Sequence, residues 1–207
     1  MSGDAGVDAI KQASGRVCGD CSLCCFLPDI QEADKSKTGW CRHCRPGRGG
    51  CSIYATRPNQ CREYACTWLS SPDMPDYWRP TASRMVVDFN ERDEGNVMRI
   101  WVHPNYPNRW REEPFWSDIG RQARVGLEGT PKYETIIVYQ REWKWLVLPD
   151  KAVPYGPGVY QRLPGGRWDF LPTESREESR KLCEAPGAGA PLTNALSARR
   201  ADPDWLP

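Results

Sequence analysis

Two hydrophobic rhythms run through the middle of this chain. "SRMVVDF" (83–89) and "NVMRIWVH" (96–103) are short, β-branched apolar runs on either side of the turn-rich "NERDEG", and they read as the two strands of a hairpin. "PFWSDIGRQARVGLEG" (114–129) changes to helical spacing. Trp116, Ile119, Ala123 and Leu127 fall near one face, Pro114 suits the first helical position, and Gly129 suits the stop. "ETIIVYQ" (134–140) and "WKWLVLP" (143–149) return to the strand pattern around a short turn at Arg141 and Glu142. The order β-β-α-β-β predicts an α+β domain over about 75–171, a small antiparallel sheet with one helix on its face.

The flanks have no such rhythm. Residues 1–70 carry little periodic apolar sequence and most of the cysteines, which predicts an irregular metal-binding module packed on the sheet. Residues 172–207 are rich in Pro, Gly, Ala and charge. Within that tail, "TESREESRKL" (173–182) reads as a short helix capped by Thr173. Trp205 and Leu206 are candidate docking residues, and Cys183 stands apart as a bystander.

Charge and hydropathy narrow the setting. A net charge of +1 gives the whole molecule no signature of nucleic-acid or membrane binding. No basic stretch followed by an apolar run opens the sequence, and no apolar stretch approaches the roughly 18 residues of a membrane span, so a soluble, cytoplasmic protein is expected. In a reducing compartment, ten cysteines, nine of them between positions 18 and 66, point to metal ligation rather than to disulfides.

The spacing supports that use. The pattern is Cys18-x2-Cys21-x2-Cys24-Cys25, then Cys41-x2-Cys44, then Cys51, then Cys61-x4-Cys66. A C-x-x-C pair lets two thiolates reach one metal from a tight turn, and buried free thiols have no need of such repeats. Side chains of consecutive residues tend to diverge, so Cys24 and Cys25 are expected to face different metals, or one of them to bridge two. At least two ions follow: two four-thiolate sites with one cysteine over, or a trinuclear cluster with bridging sulfurs. Cys61 and Cys66 would point about 140° apart on an unbroken helix, so they meet one ion only if the helix ends between them.

Zinc is favoured by the paired C-x-x-C arrangement. An iron–sulfur cluster is the alternative, since Cys18-x2-Cys21-x2-Cys24 matches the start of the bacterial ferredoxin run, although the x3-Cys-Pro continuation is missing. His43, inside "CRHC", is expected near the cluster rather than in it. Five arginines (Arg42, Arg45, Arg48, Arg57, Arg62) and no acid lie between Cys41 and Arg62. They are expected to offset the negative charge of thiolate-bound metal, and with no long basic run beyond them, nucleic acid is not the expected partner. Ile53, Tyr54, Tyr64 and Trp68 are expected as core around the cluster.

These residues resemble a known family. "CGDCSLCC", "GWCRHC" and "GCSIYATRPNQCREYAC" are similar to the CxxCxxCC cysteine-cluster family, the YkgJ-like zinc- or iron-chelating domain. The likeness continues through Cys51, Ile53, Tyr54, Arg57 and Pro58 to Cys61, Arg62, Tyr64 and Cys66, and covers about residues 18–68. It implies metal chelation by these cysteines and leaves the metal open.

Nothing points as directly to catalysis. No GxSxG, HExxH, P-loop or dinucleotide fingerprint is present, and His103, before a proline-rich loop, reads as a residue bonded to backbone. "NYPNRWREEPFW" (105–116) reads either as a surface for a protein partner or as a loop folded over the sheet. The expected function is a metal-binding protein with two or three zinc ions in structural sites, supporting a protein-interaction domain. The alternatives are an iron–sulfur or metal-dependent enzyme acting on a protein or peptide, and a metal carrier.

Overall fold

The apolar runs become strands. The computed structural model describes residues 14–172 apart from 48–49, 93–94, 129–134, 142, 156–157, 164 and 166–167. Strands β1 (Met85–Arg92) and β2 (Gly95–Val102) are followed by a 13-residue helix, and then by β3 (Thr135–Gln140) and β4 (Trp143–Val147). Met85, Val86 and Val87 in β1 and Ile136, Ile137 and Val138 in β3 are buried consecutively. Both faces of these strands are therefore covered, which explains their continuous rather than alternating apolar pattern. Arg141 turns the chain between β3 and β4 with a φ of 53°.

The chain is an α+β protein with the predicted β-β-α-β-β order, and three strands follow that the sequence pattern did not predict. β5 (Ala152–Pro154) pairs antiparallel with β4, Leu146 opposite Val153, and completes a five-stranded sheet of order β1-β2-β3-β4-β5. β6 (Gly158–Arg162) and β7 (Trp168–Pro172) form a separate antiparallel hairpin. Pro154 is tolerated because β5 is an edge strand with no further neighbour to bond.

Among the described residues the strands are accompanied by helices α1 (Asn59–Arg62), α2 (Thr67–Ser70), α3 (Pro80–Ser83) and α4 (Phe115–Leu127). On α4 the residues buried at four-residue intervals are Phe115, Ile119, Ala123 and Leu127. Trp116 is only half-buried, so Phe115 takes the place expected of it. Gly120 sits where a Cβ would lie 2.7 Å from the Pro149 carbonyl oxygen, so the helix approaches the chain leaving β4 more closely than any side chain allows.

The chain divides into two compact units. Among the described residues the first holds 14–88, 99–115 and 139–142, and the second holds 89–98, 116–138 and 143–172. The division runs through β1, β2 and β3 rather than between residues 70 and 75. The reason lies in the first unit's core: Leu23, Leu27, Val86 and Trp101 pack together, with Cys21, Phe26, Tyr64, Cys66 and Tyr139 against them. The second unit has its own cluster of Leu127, Leu146 and Leu148. The tail features at 173–182, Cys183, Trp205 and Leu206 lie outside the described residues, as does Arg48. No helix among the described residues is long and apolar enough to cross a membrane.

Candidate metal centre

Backbone hydrogen bonds gather the cysteines. Gly19, with a φ of 57°, lets the chain turn so that the Cys21 amide donates to the Cys18 carbonyl at 3.0 Å. A single 3-10 turn, Leu23–Cys25, follows, held down by the buried Leu23 and Leu27. The Cys41 amide then donates to the Cys25 carbonyl at 2.9 Å and brings in the second pair. Cys44 lies opposite Cys51 in an isolated antiparallel bridge, closed by Ser52 N–H donating to the His43 carbonyl at 2.8 Å.

Helix α1 carries Cys61 and ends at Arg62. Cys66 is extended, with φ −69° and ψ 153°, and caps α2. The helix therefore breaks between Cys61 and Cys66, and the two thiols feel different neighbours. Burial pushes the Cys66 thiol up to about 12, helped by the nearby charges of Cys18 and Cys21. Burial likewise pushes Cys61 up to about 11, but its thiol neighbours are Cys25, Cys41 and Cys51. Cys21 is raised by burial and by Cys18. By the charges that act on each thiol, Cys18, Cys21, Cys24 and Cys66 go together and Cys61 goes with Cys25, Cys41 and Cys51, and the Cys44–Cys51 bridge adds Cys44 to the second set.

The sets meet at the adjacent pair. The Cys24 and Cys25 thiols shift each other's ionisation in opposite directions, Cys24 up and Cys25 down. The neighbouring Cys25, and burial after it, hold the Cys24 thiol well above its ordinary value. Cys25 is lowered to about 6, first by Cys24 and then, against burial, by Cys44 and the charge of Lys35. Cys44 is pushed up to about 11, first by burial and then by the charge of Cys25. Among the described residues no disulfide joins the nine cysteines. As the side chains stand, no group of three or more His, Cys, Asp or Glu among the described residues is set to hold one ion.

The charges around the thiols match the expected ones in part. Arg42 pairs with Asp34 at 3.5 Å on the surface, and Arg62 donates to the carbonyls of Arg57 and Ala55. Among the described residues, Arg57 acts on Cys61 as expected, and Lys35 acts on Cys25 and Arg79 on Cys21. Lys35 is buried, and its ammonium donates to the carbonyls of Phe26 and Pro28. Its polar surroundings in "QEADKSK" gave no sign of burial. Trp68 is buried and Tyr64 half-buried, but Tyr54 is 56% exposed under the Arg57 guanidinium, so Tyr54 is not core. His43 is half-buried beside the bridge, and His103 Nδ1 accepts from the Asn105 amide at 3.2 Å.

A further link leaves the thiols. The Tyr64 hydroxyl, from the turn between Cys61 and Cys66, donates to Asp88 on β1 at 2.9 Å. Burial, then the charge of Asp88, holds the phenol well above its ordinary value, so it remains a donor. Family models, curated proteins and solved structures offer no match to this chain.

Proposed function

We propose that this chain is a metal-binding protein whose nine cysteines hold two or three zinc ions as structural sites in a reducing, cytoplasmic setting. The observation that carries the reading is that the fold gathers the cysteines, with Cys41 bonded through its backbone to Cys25, Cys44 opposite Cys51, and Cys21 and Cys66 packed against one core. An all-sulfur donor set suits a thiophilic divalent ion, and a sulfur with neighbours on both sides suits a bridging ligand. Cys18, Cys21, Cys24 and Cys66 would hold one ion. Cys25, Cys41, Cys44, Cys51 and Cys61 would supply the rest, with Cys25 shared. Bound zinc would act as a cross-link between turns that contain almost no regular structure. The resemblance to the CxxCxxCC family points the same way.

A protein partner fits the surface beside this centre. Trp40, 46% exposed, stacks on Phe26 with centroids 4.7 Å apart, and His103 and Tyr106 extend the row at 5.2 and 5.5 Å. Within 105–116, Trp110 and Phe115 are buried by contrast, while positions 105, 106, 108 and 111–114 are exposed. Exposed aromatics of this kind are enriched where proteins bind one another.

One observation favours a second reading. The first set is three cysteines at C-x2-C-x2-C spacing plus one remote cysteine, which is also a four-iron cluster's ligand pattern. Anaerobic purification with a visible spectrum and elemental analysis separates the two. Zinc predicts a colourless protein with two or three zinc ions per chain. A brown protein absorbing near ~400 nm with stoichiometric iron would replace zinc with iron–sulfur, and metal-free protein would end both.

A further inference from the structure

Asp88 is the single acid in the apolar run "MVVDF", and it is 3% exposed. A carboxylate so placed is costly unless its oxygens are satisfied. Here they are: Oδ1 accepts from Arg99 Nε at 2.6 Å, and Oδ2 accepts from Trp101 Nε1 at 3.0 Å and from the Tyr64 hydroxyl at 2.9 Å. Val86 and Asp88 lie two apart on β1, as do Arg99 and Trp101 on β2, so each pair shares a face. Val86 and Trp101 on that face belong to the core against which Cys21 and Cys66 pack. Arg99 already neutralises the charge of Asp88. What the Tyr64 bond adds is an attachment for the connector between Cys61 and Cys66 just past the point where the Glu63 amide makes the closing helical bond of α1, to the Asn59 carbonyl at 2.9 Å.

We propose that Asp88 is a positioning residue for the cysteine centre. Through Tyr64 it fixes where the chain breaks between Cys61 and Cys66, and so holds Cys66 against the core on which Cys21 also packs, while Cys61 stays on helix α1. The inference rests on the metal-binding reading above and adds a residue about twenty positions beyond the last cysteine of the motif.

The test uses the full chain with Tyr64→Phe, which keeps the ring and its packing and removes only the hydroxyl, and Asp88→Asn as a second variant. Each is titrated with cobalt(II), whose thiolate absorption reports ligand geometry, and then with zinc against a competing chelator. The expected result is an unchanged far-ultraviolet circular dichroism spectrum for Tyr64→Phe, an altered cobalt spectrum, and zinc affinity about tenfold weaker for part of the bound metal only, the low end of what losing an outer contact costs. Cobalt spectra and zinc affinities equal to those of the unmodified chain would overturn the positioning role alone. An unmodified chain that takes up neither cobalt nor zinc would overturn the metal-binding reading with it.

Discussion

Among single residues, Cys25 and Lys35 concentrate the local polarity of the first unit. Cys25 is lowered to about 6, with Cys24, Cys44 and the buried Lys35 ammonium acting on it. Lys35 holds the loop that follows Cys25 by donating back to Phe26 and Pro28. Lys35→Met keeps the apolar stem but leaves those two carbonyls without their donor, a cost of about 1–3 kcal/mol. At about 2–4 °C per kcal/mol for a chain of this size, thermal melting should fall by several degrees. An unchanged melting temperature would mean the loop is held by other contacts. The thiols themselves were legible in the sequence because their spacing is written there. Lys35 was not, because nothing in a run of polar residues marks the one that folds under the chain. Asp88 left a faint trace, an acid inside an apolar strand with an arginine in the next.

At the level of elements, periodic segments were readable and interrupted ones were not. The strands at 85–102 and 135–147 and the helix at 115–127 carry their own local pattern, and no long-range contact had to be known to find them. β5 to β7 fall in a stretch punctuated by Pro and Gly, where pairing with a neighbour decides the structure. The break after α1 has the same character: Tyr64 is held by a carboxylate 24 positions away, which no local rule predicts. On α4 the close approach at Gly120 gives a prediction against propensity. Alanine is the better helix former by about 1 kcal/mol. Its methyl would meet the Pro149 carbonyl oxygen at 2.7 Å, and overpacking of this kind costs about 1–3 kcal/mol. Gly120→Ala should therefore lower the urea midpoint of unfolding; a raised midpoint would show that the backbone yields at no cost.

At the scale of the whole molecule, the cysteine segment shares one core with the strand ends at Val86 and Trp101 rather than forming a module to itself. An ion bound among the thiols would therefore brace the strands as well as the turns around it. The α+β class and the clustering of nine cysteines in one part of the chain followed from sequence, but the division into two units across three strands depends on packing that composition does not record. The account turns on two thiol sets joined at one shared sulfur. Zinc per chain, measured by elemental analysis on Cys25→Ser beside the unmodified protein, tests this most directly. The account predicts that the serine variant loses more than one zinc, because both sets lose a ligand. A variant that keeps its full metal content would contradict it.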